Sequence, residues 1–190
     1  MTSKKAFSSF AAGALLTLLL GIGSSCVSRK APMRAYILPS YAGAPPAAWL
    51  TVSMPGYLDS RNIVQAALPT GELQSRRNAL WAVPLNAMVA SILSAQLSDL
   101  GPRTDFGGRW RQVRVEIHHF APTPAGKFLG DGVIAVGKSG VARQFSFEIA
   151  PDAPVRDHDP SVQVALYDRA VAMLAQQIRD AMTLSGSSGG

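Results

Sequence analysis

The sequence is poor in the residues that cross-link or strongly charge a small protein. Its one cysteine, Cys26, excludes an internal disulfide. Only 16% of the residues are charged, and the formal net charge of +6 comes mostly from isolated arginines. Nucleic-acid binding requires basic residues clustered on one face, so we expect no nucleic-acid partner.

The sequence also lacks an apolar run long enough to cross a bilayer, which takes roughly 20 residues. Lys4 and Lys5 precede a shorter apolar run, Phe10–Ile22, and small residues follow it. This order is typical of a secretory signal, and we predict a signal peptide over residues 1–25. Its removal takes away Lys4 and Lys5, which lowers the formal net charge from +6 to +4.

The apolar run ends at Gly23-Ser24-Ser25-Cys26, which resembles a bacterial lipobox. Small residues before the cysteine admit the signal peptidase, and the thiol receives a diacylglycerol. Gly23 departs from the pattern, since a Leu-like residue is usual there. The resemblance implies acyl chains, including palmitate, on Cys26 as the only non-protein group. An ordinary signal peptide that leaves a free thiol is the alternative.

Val27 and Ser28 follow Cys26, and no aspartate does. By resemblance to enterobacterial sorting rules, this favours the periplasmic face of the outer membrane over retention in the inner membrane. We predict an acylated tether over residues 26–34. It contains three basic residues, which we interpret as solubilising, with contact to anionic lipid head groups as the alternative: Arg29, Lys30 and Arg34.

A single domain is expected over residues 35–184, followed by a disordered tail over residues 185–190. The spacing of apolar residues predicts an amphipathic helix over Pro84–Leu97. Asp159-Pro160 predicts the start of a second, long helix, since Asp caps a helix and Pro suits its first position.

Strands are predicted before the first helix and between the two helices, where apolar and polar residues alternate or β-branched residues are frequent. Residues 63–68 and 72–75 are expected to form a hairpin. The other predicted strands cover residues 35–38, 49–53, 111–120, 127–136 and 143–149. The expected fold is therefore α+β, an antiparallel sheet with two long helices packed on one face.

One motif points to nucleotide chemistry but has the wrong context. Gly132–Ser139 matches the phosphate-loop pattern G-x-x-x-x-G-K-[ST]. The residues between its glycines favour a strand, and Val141–Ile149 continues as a strand where a phosphate loop requires a helix. We therefore predict a hairpin turn at Gly137–Gly140.

Metal and hydrolase chemistry are weakly supported. His118 and His119 are adjacent on a predicted strand, so their side chains point to opposite faces and cannot hold one ion together. We expect His118 at the surface and His119 at the edge of the core. His158 lies in a different segment, and no G-x-S-x-G turn is present. The sequence predicts no enzyme, no metal and no bound cofactor.

Two motifs resemble a known family. Val52–Asp59 followed by Ile63-Val64, and then Leu80–Leu85, are similar to the PqiC/YmbA family of ABC-type transport auxiliary lipoproteins. Gly56 and Val83 depart from the family pattern, which commonly has an acidic residue at the first position and Ser or Glu at the second. Six residues match the family and form the candidate structural or docking motif: Pro55, Tyr57, Leu58, Trp81, Pro84 and Leu85.

Two interpretations of this motif are open at this point. The favoured one packs Tyr57, Leu58 and Trp81 between the first helix and the sheet. The other leaves some of them exposed as a protein-docking patch. The outer face of the first helix lacks charge, which makes it a candidate oligomer or partner surface: Asn86, Ala90, Ser91 and Ala95.

The resemblance implies a non-catalytic outer-membrane lipoprotein that serves an intermembrane lipid transport system. Its implied partner is a periplasmic MCE-domain protein, whose far end the domain would receive, and a homo-oligomer is possible. The alternative is a lipoprotein plug or pilotin that assists an outer-membrane β-barrel or a lipopolysaccharide assembly machine.

Overall fold

A computed structural model describes residues 32–58, 61–67, 73–100, 112–137, 142–151 and 160–187. The described residues from Met33 onward belong to one compact unit. Cys26, the rest of the predicted leader, and Lys138-Ser139 of the phosphate-loop match lie outside the described residues, as does Asp159.

The first sheet has three strands in the order β1-β4-β3. β3 and β4 form the predicted antiparallel hairpin, and β4 runs on to Trp81, where the sequence indicated only a connecting segment. β1 pairs with β4 in parallel, with Tyr36 opposite Trp81. The strands are β1 (Arg34–Tyr36), β3 (Asn62–Ala67) and β4 (Leu73–Trp81).

The second sheet has four strands in the order β2-β5-β6-β7. β5, β6 and β7 are antiparallel, and β2 pairs with β5 in parallel. The strands are β2 (Leu50–Ser53), β5 (Val113–Pro122), β6 (Phe128–Val136) and β7 (Arg143–Ile149). Gly132–Val136, the first part of the phosphate-loop match, lies inside β6, as its β-branched residues predicted.

The described residues form two α-helices of unequal length. α1 spans Leu85–Gln96, and Pro84 is its N-cap residue rather than its first helical one. α2 spans Pro160–Ser187 and packs on β5, β6 and β7, whereas α1 packs on β2 and α2. α2 therefore continues three residues into the tail predicted from Ser185.

The α+β class is confirmed, but its details are corrected. The strands form two mixed sheets rather than one antiparallel sheet, and only α2 is a long helix. The two parallel pairings join strands that are distant in sequence, β1 with β4 and β2 with β5. Local alternation of apolar residues carries no information about such pairings.

Tyr167 of α2 lies where the two sheets meet in the core. Its ring stands edge-on to Trp81 of β4 at 5.3 Å and to Phe128 of β6 at 4.8 Å, measured between ring centroids. Phe120 of β5 lies 6.0 Å from it. Trp81, Tyr167, Phe120 and Phe128 are all fully buried. One aromatic cluster thus holds both sheets to the long helix.

Glycine is required at Gly132 because the backbone of β5 and a ring of β7 lie too close for a side chain. A Cβ there would collide with the carbonyl oxygen of Glu116 and approach the Phe145 ring to 2.9 Å. We expect Gly132→Ala to lower the free energy of unfolding by about 1–3 kcal/mol, as overpacking does.

Gly56→Ala is the matched control for this prediction, because a Cβ at Gly56 meets nothing within 4 Å. We expect that change to stay within about 0.5 kcal/mol of the parent in urea unfolding. Equal effects of the two substitutions would contradict the close approach at Gly132.

Candidate functional site

The first half of the candidate motif lies in the turn that follows β2. The backbone N–H of Leu58 donates to the carbonyl oxygen of Pro55 at 2.8 Å, which closes the turn. Leu58 is buried, whereas Pro55 and Tyr57 are half-buried. The turn thus points one apolar side chain into the core and leaves two others partly accessible.

Tyr57 reaches from this turn to β5. Burial raises the pKa of its hydroxyl, a hydrogen bond with the backbone of Phe120 acts in the opposite direction, and the charge of Asp131 raises it further. Phe120 follows the point where the pairing of β5 with β6 shifts register, between Ile117 and His119. Tyr57 therefore tethers the turn beside this irregularity.

The second half of the motif lies where β4 ends and α1 begins. The backbone N–H of Trp81 donates to the carbonyl oxygen of Arg61 at 2.6 Å. Trp81 and Leu85 are buried, and Pro84 is half-buried. The carbonyl oxygen of Pro84 accepts the N–H of Met88 at 3.2 Å, which is the first turn of the helix.

The motif divides by burial. Leu58, Trp81 and Leu85 belong to the hydrophobic core and are inaccessible to a partner, which supports the structural interpretation for these three. Pro55, Tyr57 and Pro84 keep part of their surface. A docking role is thus open only to the latter three residues of the motif.

Part of the outer face that was predicted for α1 is covered by the loop before β2. Ser91 is only 2% exposed, and its hydroxyl donates to the carbonyl oxygen of Ala44 at 2.6 Å. Ser94 accepts the N–H of Ala47 at 2.9 Å and donates to the carbonyl oxygen of Ala90 at 2.7 Å. These hydrogen bonds fix the loop before β2, which contains Ala44 and Ala47, across α1. Of the four residues predicted to form the partner surface, Ser91 is buried, Asn86 and Ala90 are half-buried, and Ala95 is exposed, so a partner surface here stays a prediction for the other three residues and not for Ser91.

An ion pair between Arg179 and Asp99 joins α2 to the C-terminal end of α1. Arg179 of α2 donates to both carboxylate oxygens of Asp99, at 2.7 and 3.1 Å, and to the carbonyl oxygen of Gln96 at the end of α1. This hydrogen bond with Arg179 holds the pKa of Asp99 below its usual value, and the pKa of Arg179 is correspondingly raised. The pair closes the C-terminal end of α1.

A second tie joins the chain after β1 to α2. Asp168 accepts the backbone N–H of Ser40 at 3.0 Å and its hydroxyl at 2.9 Å. Both the Arg179–Asp99 pair and the Asp168–Ser40 pair link segments far apart in sequence, so their physical role is to fix the packing of α2.

The remaining polar group of interest is His118, on the open face of the second sheet. Its ring nitrogens lie 3.5 Å from Glu116 and 3.9 Å from Asp131, and all three side chains are about half exposed. His118 and Asp131 border an open pocket of about 280 Å³, which Gln144 and Ser146 also line. His118 is at the surface as predicted, and His119 is half-buried.

Sequence reasoning did not find the aromatic centre at Tyr167 or the His118 pocket. β5 shifts register beside His118, and such a one-residue bulge leaves no signal in local alternation. Among the described residues, no three side chains of His, Cys, Asp or Glu converge where they could hold a metal ion.

None of the helices within the described ranges combines the length and the apolar character needed to cross a membrane. Cys26, the predicted anchor residue, lies outside the described residues.

The chain matches a family model described as "ABC-type transport auxiliary lipoprotein component" over residues 39–179. No curated protein is similar enough to count as a match.

Two crystal structures share the fold. One, of an uncharacterised protein, has a TM-score of 0.54 and 21% identity, and the match covers 78% of this chain and 99% of the other. The second, of a Xanthomonas campestris protein, has a TM-score of 0.54 and 18% identity, and the match covers 83% of this chain and 96% of the other.

Proposed function

Because the chain belongs to the family of ABC-type transport auxiliary lipoprotein components, we propose that it is a non-catalytic, acyl-anchored subunit of an intermembrane lipid transport system. It acts at the periplasmic face of the outer membrane, where it docks an MCE-domain protein. The family match over residues 39–179 is the observation that carries this proposal.

The anchor is the acylated thiol of Cys26. The chain's only cysteine follows an apolar run and three small residues, which is where a lipobox has it. Each buried methylene contributes about 0.8 kcal/mol to membrane binding, and one acyl chain alone binds only marginally. The several chains of a mature lipoprotein therefore hold the domain at the bilayer essentially permanently.

The polar groups of the described residues support a binding role rather than a catalytic one. Those with a displaced pKa are in packing contacts: Tyr57 in the β2 turn, Tyr167 in the core, and the Asp99–Arg179 pair at the end of α1. An active site instead collects such groups in a cleft.

The proposed mechanism is positioning. The anchor fixes the domain beneath the outer membrane, and the domain binds the far end of a periplasmic MCE assembly that is fed from the inner membrane. The resemblance to the PqiC/YmbA family supports this choice of partner. No further cofactor is needed, because the proposed role is to bind and position a partner rather than to catalyse a reaction.

Cross-linking in intact envelopes tests this role. The tagged full-length chain is cross-linked in cells, purified under denaturing conditions and analysed by mass spectrometry. We expect an MCE-domain protein to be the main cross-linked partner. The matched control is a tagged lipoprotein of another family with the same anchor, which we expect to recover none.

Two outcomes would contradict the proposed role. Recovery of an outer-membrane β-barrel in place of an MCE protein would favour an assembly lipoprotein. Equal recovery of the MCE protein by the control lipoprotein would show that proximity at the membrane, rather than docking, produced the cross-link.

A further inference from the structure

β1 turns its apolar side chains outward. Side chains alternate along an extended chain, so Ala35 of β1 and the two residues that flank the strand, Met33 and Ile37, share one face. Met33 is 60% exposed, Ile37 is 47% exposed, and Ala35 is also exposed. Tyr36, on the other face, packs against the core. In a strand with one buried and one solvated face, the apolar side chains normally point to the core and the polar side chains to solvent.

This outward stripe, defined as Met33, Ala35 and Ile37, lies at the edge of a sheet. β1 is the first strand in the order β1-β4-β3 and pairs with β4 alone among the described strands. Single exposed apolar residues are common on soluble proteins, but an apolar stripe along an edge strand invites association unless something covers it.

The neighbouring sequence indicates what covers the stripe. Met33 follows Cys26 by seven residues, and that length of chain spans at most about 25 Å. Asp and Glu are absent from the sequence between Cys26 and Leu58, whereas Arg29, Lys30 and the exposed Arg34 are basic. Basic residues beside an apolar stripe are typical of a surface that adsorbs to anionic lipid.

We propose that the outward stripe contacts the anionic bilayer that holds the acyl chains of Cys26, with Met33 and Ile37 in the head-group region. The side chain of Arg34 starts on the other face of this edge strand, but it is exposed and long enough to reach lipid phosphates. The inference rests on the acyl anchor of the proposed function and adds a second point of contact, which orients the domain.

The chain's single cysteine makes this measurable. Once Cys26 is acylated, Ile37→Cys introduces the only free thiol, which can take an environment-sensitive fluorophore. The matched control is Ala125→Cys, at an exposed position in the turn between β5 and β6. Both acylated proteins are placed on vesicles of phosphatidylcholine and phosphatidylglycerol and treated with an aqueous collisional quencher.

We expect the label at position 37 to be quenched several-fold less than the label at position 125, and its emission to shift to the blue. Adding Arg34→Glu to the Ile37→Cys protein is expected to restore most of the quenching, because the acidic side chain is repelled by anionic lipid.

The outcomes separate this inference from the anchor. Equal quenching at both positions on proteins that still float with the vesicles overturns the stripe contact and leaves the anchor intact. Proteins that do not float overturn both. If the label is shielded to the same degree in the soluble Cys26→Ala Ile37→Cys protein without vesicles, another copy of the chain covers the stripe and the lipid contact is wrong.

Discussion

A Cys26→Ala variant is expected to lose its membrane attachment completely. The substitution removes the only thiol in the chain and therefore the only site for the diacylglycerol. None of the helices in the described residues can cross a bilayer, and a contact made by two exposed apolar side chains and one arginine is too weak to hold the domain at the membrane without the acyl chains. In cells fed radiolabelled palmitate, the wild type is expected to be labelled and membrane-bound, and Cys26→Ala unlabelled and in the soluble periplasmic fraction.

Ser25→Ala is the matched control, because it changes the adjacent residue to the same side chain and keeps a small residue before the cysteine. We expect it to remain labelled and membrane-bound. The folded domain is expected to be unaffected by Cys26→Ala, because the first buried apolar residue among the described ones is Leu38, twelve residues further along the chain. Unchanged membrane association of Cys26→Ala would contradict the anchor.

A Trp81→Ala variant is expected to lower the free energy of unfolding by about 3–5 kcal/mol, the range for removing a large buried aromatic residue. Trp81 is fully buried, and its ring stands edge-on to Tyr167, the residue that joins both sheets to α2. The cavity would open between the first sheet and the long helix. Urea unfolding of the soluble Cys26→Ala protein measures the effect.

Trp81→Phe separates packing from hydrogen bonding. The indole Nε1 is buried and has no hydrogen-bond partner in the described structure, so phenylalanine loses no such bond. We expect Trp81→Phe to cost about 1.5 kcal/mol or less, since most of the volume is kept. If Trp81→Ala leaves stability unchanged but abolishes cross-linking to the partner, Trp81 is a docking residue and its assignment to the core is wrong.

The features that sequence reasoning located are local ones. The β3–β4 hairpin and the start of α2 at Pro160 each depend on residues that are neighbours in the chain. Local propensity and alternation are sufficient for these, because the relevant contacts involve the same few residues.

The features it missed depend on distant segments. Helical spacing places Ser91 on the outer side of α1. The loop before β2 crosses the helix there, and the carbonyl oxygen of Ala44 in this loop accepts a hydrogen bond from the Ser91 hydroxyl. The parallel pairs and the contact of Tyr167 with Trp81 likewise join residues far apart in sequence. Such contacts are decided by how the whole chain packs.

The candidate site likewise has one part that the local sequence predicts and another that depends on the folded structure. The lipobox resemblance predicts Cys26 from four consecutive residues. Whether the six motif residues are structural or accessible could not be decided until burial was known, and burial assigns Leu58, Trp81 and Leu85 to the core. The outward stripe of β1 could not be predicted either, since alternation does not say which face of a strand is covered.

Mass spectrometry of the amino-terminal peptide of the mature protein, purified from membranes, tests the account most directly. We predict that the peptide begins at Cys26 and carries the added mass of a diacylglyceryl group and an amide-linked acyl chain. A mature chain that begins elsewhere, or that begins at Cys26 with a free thiol, would contradict the account.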